Sequence, residues 1–161
     1  MDIRAIFGLS VLLSFVASGL VAWLYVWPWL RDLSRDSALR ILVIPHTFRF
    51  IGLSFLVSGV VSPKLPSAFA TPAAYGDLAA TVLAIASVLA LYNGVSWSAL
   101  LVWIFNIWGT IDFLIAFYEG IAGLPDGPGS FGAAFYIPTV VVPPLFITHC
   151  LIFGLLLRSK K

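Results

Sequence analysis

Apolar residues run through this chain in five long stretches, separated by short polar or glycine- and proline-rich pieces. None of the stretches alternates as a half-buried strand would, and each approaches the ~20 residues an α-helix needs to cross a bilayer. The pattern predicts membrane helices over about residues 3–29, 41–61, 75–92, 95–121 and 133–157. The breaks agree with those bounds. The first run ends in Trp23, Tyr25, Trp27 and Trp29, an aromatic group suited to a headgroup boundary. The charged piece RDLSRDSALR follows it, and SPKLPSAFATP, with three prolines, predicts an ordered external loop over 62–72. Asn93 and Gly94 predict a tight turn, with Ser96 placed to cap the fourth span. AGLPDGPGSFG predicts the last loop, and RSKK ends the chain.

Composition narrows this to one class. With 61% hydrophobic and 10% charged residues and a mean hydropathy of +1.05, residues 1–161 read as a single membrane domain. Without water, backbone groups must be satisfied internally, and continuous apolar runs choose helices over a barrel. The expected fold is therefore an all-α, polytopic membrane helix bundle of five transmembrane helices. Lys and Arg concentrate in the first polar loop and the tail, which predicts an N-terminus outside and a cytoplasmic C-terminus in a bacterial inner membrane. A formal charge of +2 without a basic stripe argues against nucleic acid as a partner and leaves the lipid bilayer. MDIRAIFGLSVLLSFVASGL starts like a signal peptide but continues through three tryptophans, as a retained anchor would. Cys150, the single cysteine, reads as a small buried residue.

Candidate chemistry lies in the few polar residues inside the spans. An ionisable group there costs on the order of 3 kcal/mol by insertion scales, so it usually faces a protein interior and often marks a site. Counting from the cytoplasmic ends, His46 and Arg49 in the second span and His149 in the fifth share one level, with Asn106 slightly deeper. Asp112 and Glu119 lie progressively nearer the outside, as does Asp77 at the predicted start of the third span. At 100° per residue, Phe105, Trp108, Asp112, Ile115 and Glu119 share one helix face, while Asn106, Thr110, Phe113 and Phe117 take roughly the opposite one. His46, Arg49, Asn106, Trp108, Asp112, Glu119 and His149 are therefore the candidate ligand-binding residues of a pocket between the second, fourth and fifth helices.

Blander readings stand beside each. Asp112 can be neutral or can pair with Arg49 for assembly alone, Glu119 can be interfacial, His46 can be a first-turn residue after Pro45, and His149 can be an interhelical hydrogen-bonding group. Pro138, Pro143 and Pro144 predict a broken backbone near Thr139 and Val140, a second pointer to a cavity. Two histidines at one depth could ligate a haem iron, with Arg49 on a propionate, or His46, His149 and Asp112 a single metal ion. No Gly-rich phosphate loop, nucleophile elbow or HExxH run is present, so nothing specifies a hydrolase or nucleotide enzyme.

The stretch from Arg49, RFIGLSFLVSGVVSPKLPSAFATPAAYGDLAATVLAI, resembles the opening of DoxX-like membrane proteins in Arg49, Gly52, Phe55, Gly59, Lys64, Phe69 and Asp77. The resemblance covers about residues 46–157 and implies a four-helix core with the first span added. It also implies a binding or accessory subunit associated with quinone-linked redox chemistry; the residues leave open a larger membrane complex or a homo-oligomer as partner, and favour a protein that is not an enzyme by itself. The tryptophan-rich sensory family is similar in length and helix number, but its tryptophan-proline-proline segment has no counterpart in the first loop. Two other functions remain open from the residues: a small-molecule carrier or proton-coupled transporter using Asp112, Glu119 and His149, and a haem- or tetrapyrrole-binding protein.

Overall fold

The computed structural model describes residues 2–158. Five helices are long and apolar enough to cross a membrane: α1, Ile3–Arg31; α2, Arg35–Leu56; α3, Ser67–Tyr92; α4, Ser98–Ala122; and α5, Ile137–Leu156. A short 3-10 helix, Gly127–Phe135, joins α4 to α5, and no strand occurs among the described residues. The helices alternate in direction, so the chain starts at the end holding the 3-10 helix and finishes at the end holding the Arg31–Arg35 connection. These are called the far end and the basic end below. Helices α2 to α5 surround a buried polar layer, and α1 packs outside them against α5 and the 3-10 helix.

Three boundaries differ from the sequence reading. The loop expected over 31–40 shrinks to Asp32–Ser34, because Ser34 caps a helix that starts at once: its hydroxyl accepts from the Ser37 N–H at 3.3 Å. The loop expected over 62–72 ends at Pro66, and α3 runs through Pro72. Pro72 is the sixth residue of the helix and leaves the Ala68 carbonyl without its intrahelical donor, a loss a membrane helix tolerates where neighbouring helices cover the freed group. Ser96 does not cap α4; Trp97 holds that position without a side-chain bond.

Prolines shape the other helices. In α1 the turn before Pro28 widens into a π-helix, Ala22–Val26, and in α5 the turn before Pro143 and Pro144 does the same over Ile137–Val141. Each proline lacks an N–H and its ring crowds the carbonyl four residues back, which falls inside the widened turn. Past Pro45, α2 does the opposite and tightens into a 3-10 helix over Ile44–Leu56. At three residues per turn, positions i and i+3 eclipse. His46, Arg49, Gly52 and Phe55, spaced by three, therefore fall on one line, and these are the buried residues of the segment. In an α-helix the same nine-residue separation would turn Phe55 to the opposite side from His46.

Two apolar clusters flank that line. At the basic end Leu30, Leu39, Leu42, Val43, Ala84, Val102 and Ile152 pack together. At the far end Phe55, Phe69 and Phe131 pack with Ala70, Ala73 and Ala74. Backbone bonds Ser62 N–H to Ser130 carbonyl (3.0 Å) and Ala133 N–H to Val60 carbonyl (2.8 Å) close the far end. Gly132 sits there with φ 54°, where a Cβ would run into the Val60 carbonyl. Cys150 is exposed on the outer side of α5 and not buried as expected, because the inward face there is taken by His149 and Ile152.

Candidate functional site

The polar layer is built on Arg49, which is 1% exposed. Its Nε donates to Asp77 Oδ1 at 2.7 Å and its Nη2 to Asp112 Oδ2 at 2.5 Å. Nη1 points to the Gly109 carbonyl and to His149 Nε2, both at 3.4 Å. The guanidinium lies 3.7 Å above the Phe113 ring, a cation–π contact. Arg49 thus ties α2 to α3, α4 and α5 at once. Four of its five N–H groups face a partner, which is what an arginine far from water requires.

The two imidazoles are ordered by their neighbours. The Asn106 amide donates through Nδ2 to the His149 carbonyl at 3.2 Å, which turns Oδ1 toward His149 Nδ1 at 2.6 Å. Nδ1 must then donate, and Nε2 is left to accept from Arg49, so the network selects one tautomer. Thr148 donates its hydroxyl hydrogen to the Leu145 carbonyl at 2.7 Å and accepts from His46 Nε2 at 2.8 Å. His46 Nδ1 is buried and finds no partner among the described residues.

Three glycines from three helices make the space. A Cβ on Gly52 would lie 2.7 Å from Asp77 Cβ, one on Gly76 2.7 Å from Asp112 Cγ, and one on Gly109 2.6 Å from His149 Cε1 and 2.7 Å from Arg49 Nη1. Any side chain at these positions would displace a member of the ionic group. Gly76 and Gly109 went unread in the sequence. Position alone could have flagged Gly109, three residues before Asp112 and three after Asn106.

The structure brings His46, Arg49, Asn106, Asp112 and His149 into one cluster and adds Asp77 from α3. The proline-rich stretch suggested that Asp77 opens its helix near the surface; because α3 starts at Ser67 instead, Asp77 lies ten residues inside and 7% exposed. The pocket is therefore bounded by α3 as well as α2, α4 and α5. His46 is no first-turn residue: it stands mid-span where α2 changes pitch. The expected face of α4 is rotated. Val102, Phe105, Asn106, Gly109 and Phe113 point inward, Asp112 enters from the edge of that face, and Trp108 and Ile115 are 47% and 52% exposed. Trp108 Nε1 donates to the Gly76 carbonyl at 3.3 Å. Glu119 stays apart from the cluster, two turns farther along α4, with no side-chain partner among the described residues.

Two hollows meet at Asp112. A cavity of about 40 Å³ in the far half of the bundle is walled by Phe55, Phe69, Phe113, Phe117 and Phe131, with Asp77 and Asp112 at its floor. A groove of about 660 Å³ between α3 and α4 opens sideways and is lined by Phe69, Tyr75, Trp108, Asp112 and Glu119 over a bed of alanines and Gly76. Asp112, Phe69, Ala73 and Ala116 belong to both walls. The histidines do not suit a haem iron held between them. Their rings lie 4.2 Å apart and tilted, and three of the four ring nitrogens are committed to Thr148, Asn106 and Arg49. Among the described residues, no group of three or more His, Cys, Asp or Glu side chains is arranged to hold a metal ion.

Comparison with curated proteins and with solved structures finds no match. A family described as a domain of unknown function, DUF8737, matches residues 6–157. The match begins within α1 and ends past α5, so it takes in all five spans together with the polar layer, and on it the chain belongs to the DUF8737 family.

Proposed function

We propose that this protein is a binding protein of the bilayer interior, which admits a small amphipathic molecule sideways between α3 and α4 and holds its polar end at Asp112. The observation that carries this is the position of Asp112, a carboxylate in the shared wall of an aromatic cavity and of a groove open along the membrane-facing side. A groove of this volume lies in the ordinary range for small-molecule sites, and convergent polar groups in an apolar lining are what such sites use for orientation. The setting we propose is a bacterial inner membrane, with the basic end and C-terminus in the cytoplasm and the N-terminus outside; Arg31, Arg35, Arg40 and Arg158 at one end support that orientation. The DoxX-like role, an accessory subunit beside a larger redox complex, is the form in which such binding would serve a partner.

Mass spectrometry of what leaves the membrane with the purified protein tests the reading. A small amphipathic molecule should accompany the wild type and be lost from Ala116→Trp, which fills both hollows. Bulk lipid alone, equal in the two proteins, would sink it. A proton-coupled carrier is the second reading, favoured by the unpaired Glu119 leading along the groove to Asp112. Flux into liposomes that survives Asp112→Asn would exclude it.

A further inference from the structure

The charges around the site do not balance. Arg49 contributes one positive charge against the carboxylates of Asp77 and Asp112, and Glu119 adds a second uncompensated carboxylate to the groove. Neither the groove nor the cavity is lined by a lysine or arginine. Asp77, 7% exposed, uses Oδ1 on Arg49, and no hydrogen bond reaches its Oδ2 among the described residues, although the residue lines the cavity floor. Buried negative charge without a partner is costly and is relieved by uptake of a proton or by a ligand that brings positive charge to it.

The donors tell the same story. Among the described residues Arg49 is the only arginine or lysine reaching the layer, and four of its five N–H groups are already turned to Asp77, Asp112, Gly109 and His149. A quinone or other neutral carbonyl compound needs donors, and an anion needs more. Beside the Tyr75 hydroxyl, the one donor in the groove lining not already turned to the protein among the described residues, what is on offer is carboxylate oxygen and aromatic face: Phe69, Tyr75 and Trp108 beside Asp112, and further phenylalanines behind it. Ring faces attract cations, most strongly where water is excluded.

Resting on the binding reading above, we infer that the molecule held between α3 and α4 is a lipophilic cation, an amine or quaternary ammonium whose head sits at Asp112 while its apolar part fills the groove.

Binding of benzyltrimethylammonium and of its uncharged carbon isostere, neopentylbenzene, to the full-length protein in nanodiscs tests this, with empty nanodiscs subtracted. The cation should bind at least tenfold more tightly than the isostere, and Asp112→Asn should erase the difference. Glu119→Gln, which breaks no contact in the fold, should weaken the preference about threefold and serves if Asp112→Asn does not survive purification. Equal binding of the two compounds overturns the cation inference and leaves the binding protein standing. A preference untouched by either variant overturns it too, since the charge would be read elsewhere. Binding of neither compound removes both readings.

Discussion

The two apolar clusters on either side of the ionic layer are built differently. At the basic end, leucine, isoleucine and valine from all five helices interlock, with Phe105 the one buried aromatic ring of the cluster. At the far end, rigid rings dominate: Phe55, Phe69 and Phe131 stand 5.3–5.9 Å apart, centre to centre, tilted or edge-on, over a floor of alanines. The cavity lies at the far end, among these rings.

The ionic layer is what keeps the two halves distinct, and removing it is the largest perturbation available. Arg49→Met leaves Asp77 and Asp112 facing each other without a cation, and should cost about 3–5 kcal/mol, the usual range for breaking a buried pair from one side. The measurement is unfolding of the purified protein in detergent, and a variant as stable as the wild type would mean that the layer does not hold the helices. A matched pair of insertions then compares the clusters directly. Ala84→Leu, at a basic-end position with no exposure, should destabilise by about 1–3 kcal/mol through overpacking, while Ala116→Leu, at the cavity wall, should cost well under that because space is already there. Equal losses would erase the distinction between a filled end and a hollow one. The smallest effect is expected at the far-end rim, where Lys64 and Asp126 pair at 3.6 Å with side chains 74% and 52% exposed. Lys64→Ala should leave the unfolding midpoint unchanged within error, because such pairs are screened and mobile. A clear loss would show that the far end depends on its surface ion pair as well as on its rings.

Much of this is legible in the sequence. Run lengths mark five spans, and the cost of ionisable and polar groups in lipid points to Arg49, Asp112, His46, His149 and Asn106, which do meet. The sequence puts Asp77 near the surface because Pro72 reads as excluding helix, although a helix packed among neighbours can carry a proline in its interior. Trp108 was placed inward because 100° spacing says which residues share a face but not which face turns to the bundle. That choice belonged to Gly109, whose missing side chain lets α4 approach Arg49 and His149.

The sequence by itself determined the number of membrane-crossing helices and which costly groups had to be sheltered, since both follow from transfer energies that act residue by residue. Tertiary structure alone decided the pitch of α2, where a 3-10 register lines up His46, Arg49, Gly52 and Phe55, and the pairing of Arg49 with two carboxylates across three helices. Those outcomes depend on how close neighbouring helices can come, and that distance is set by contacts between residues far apart in the chain.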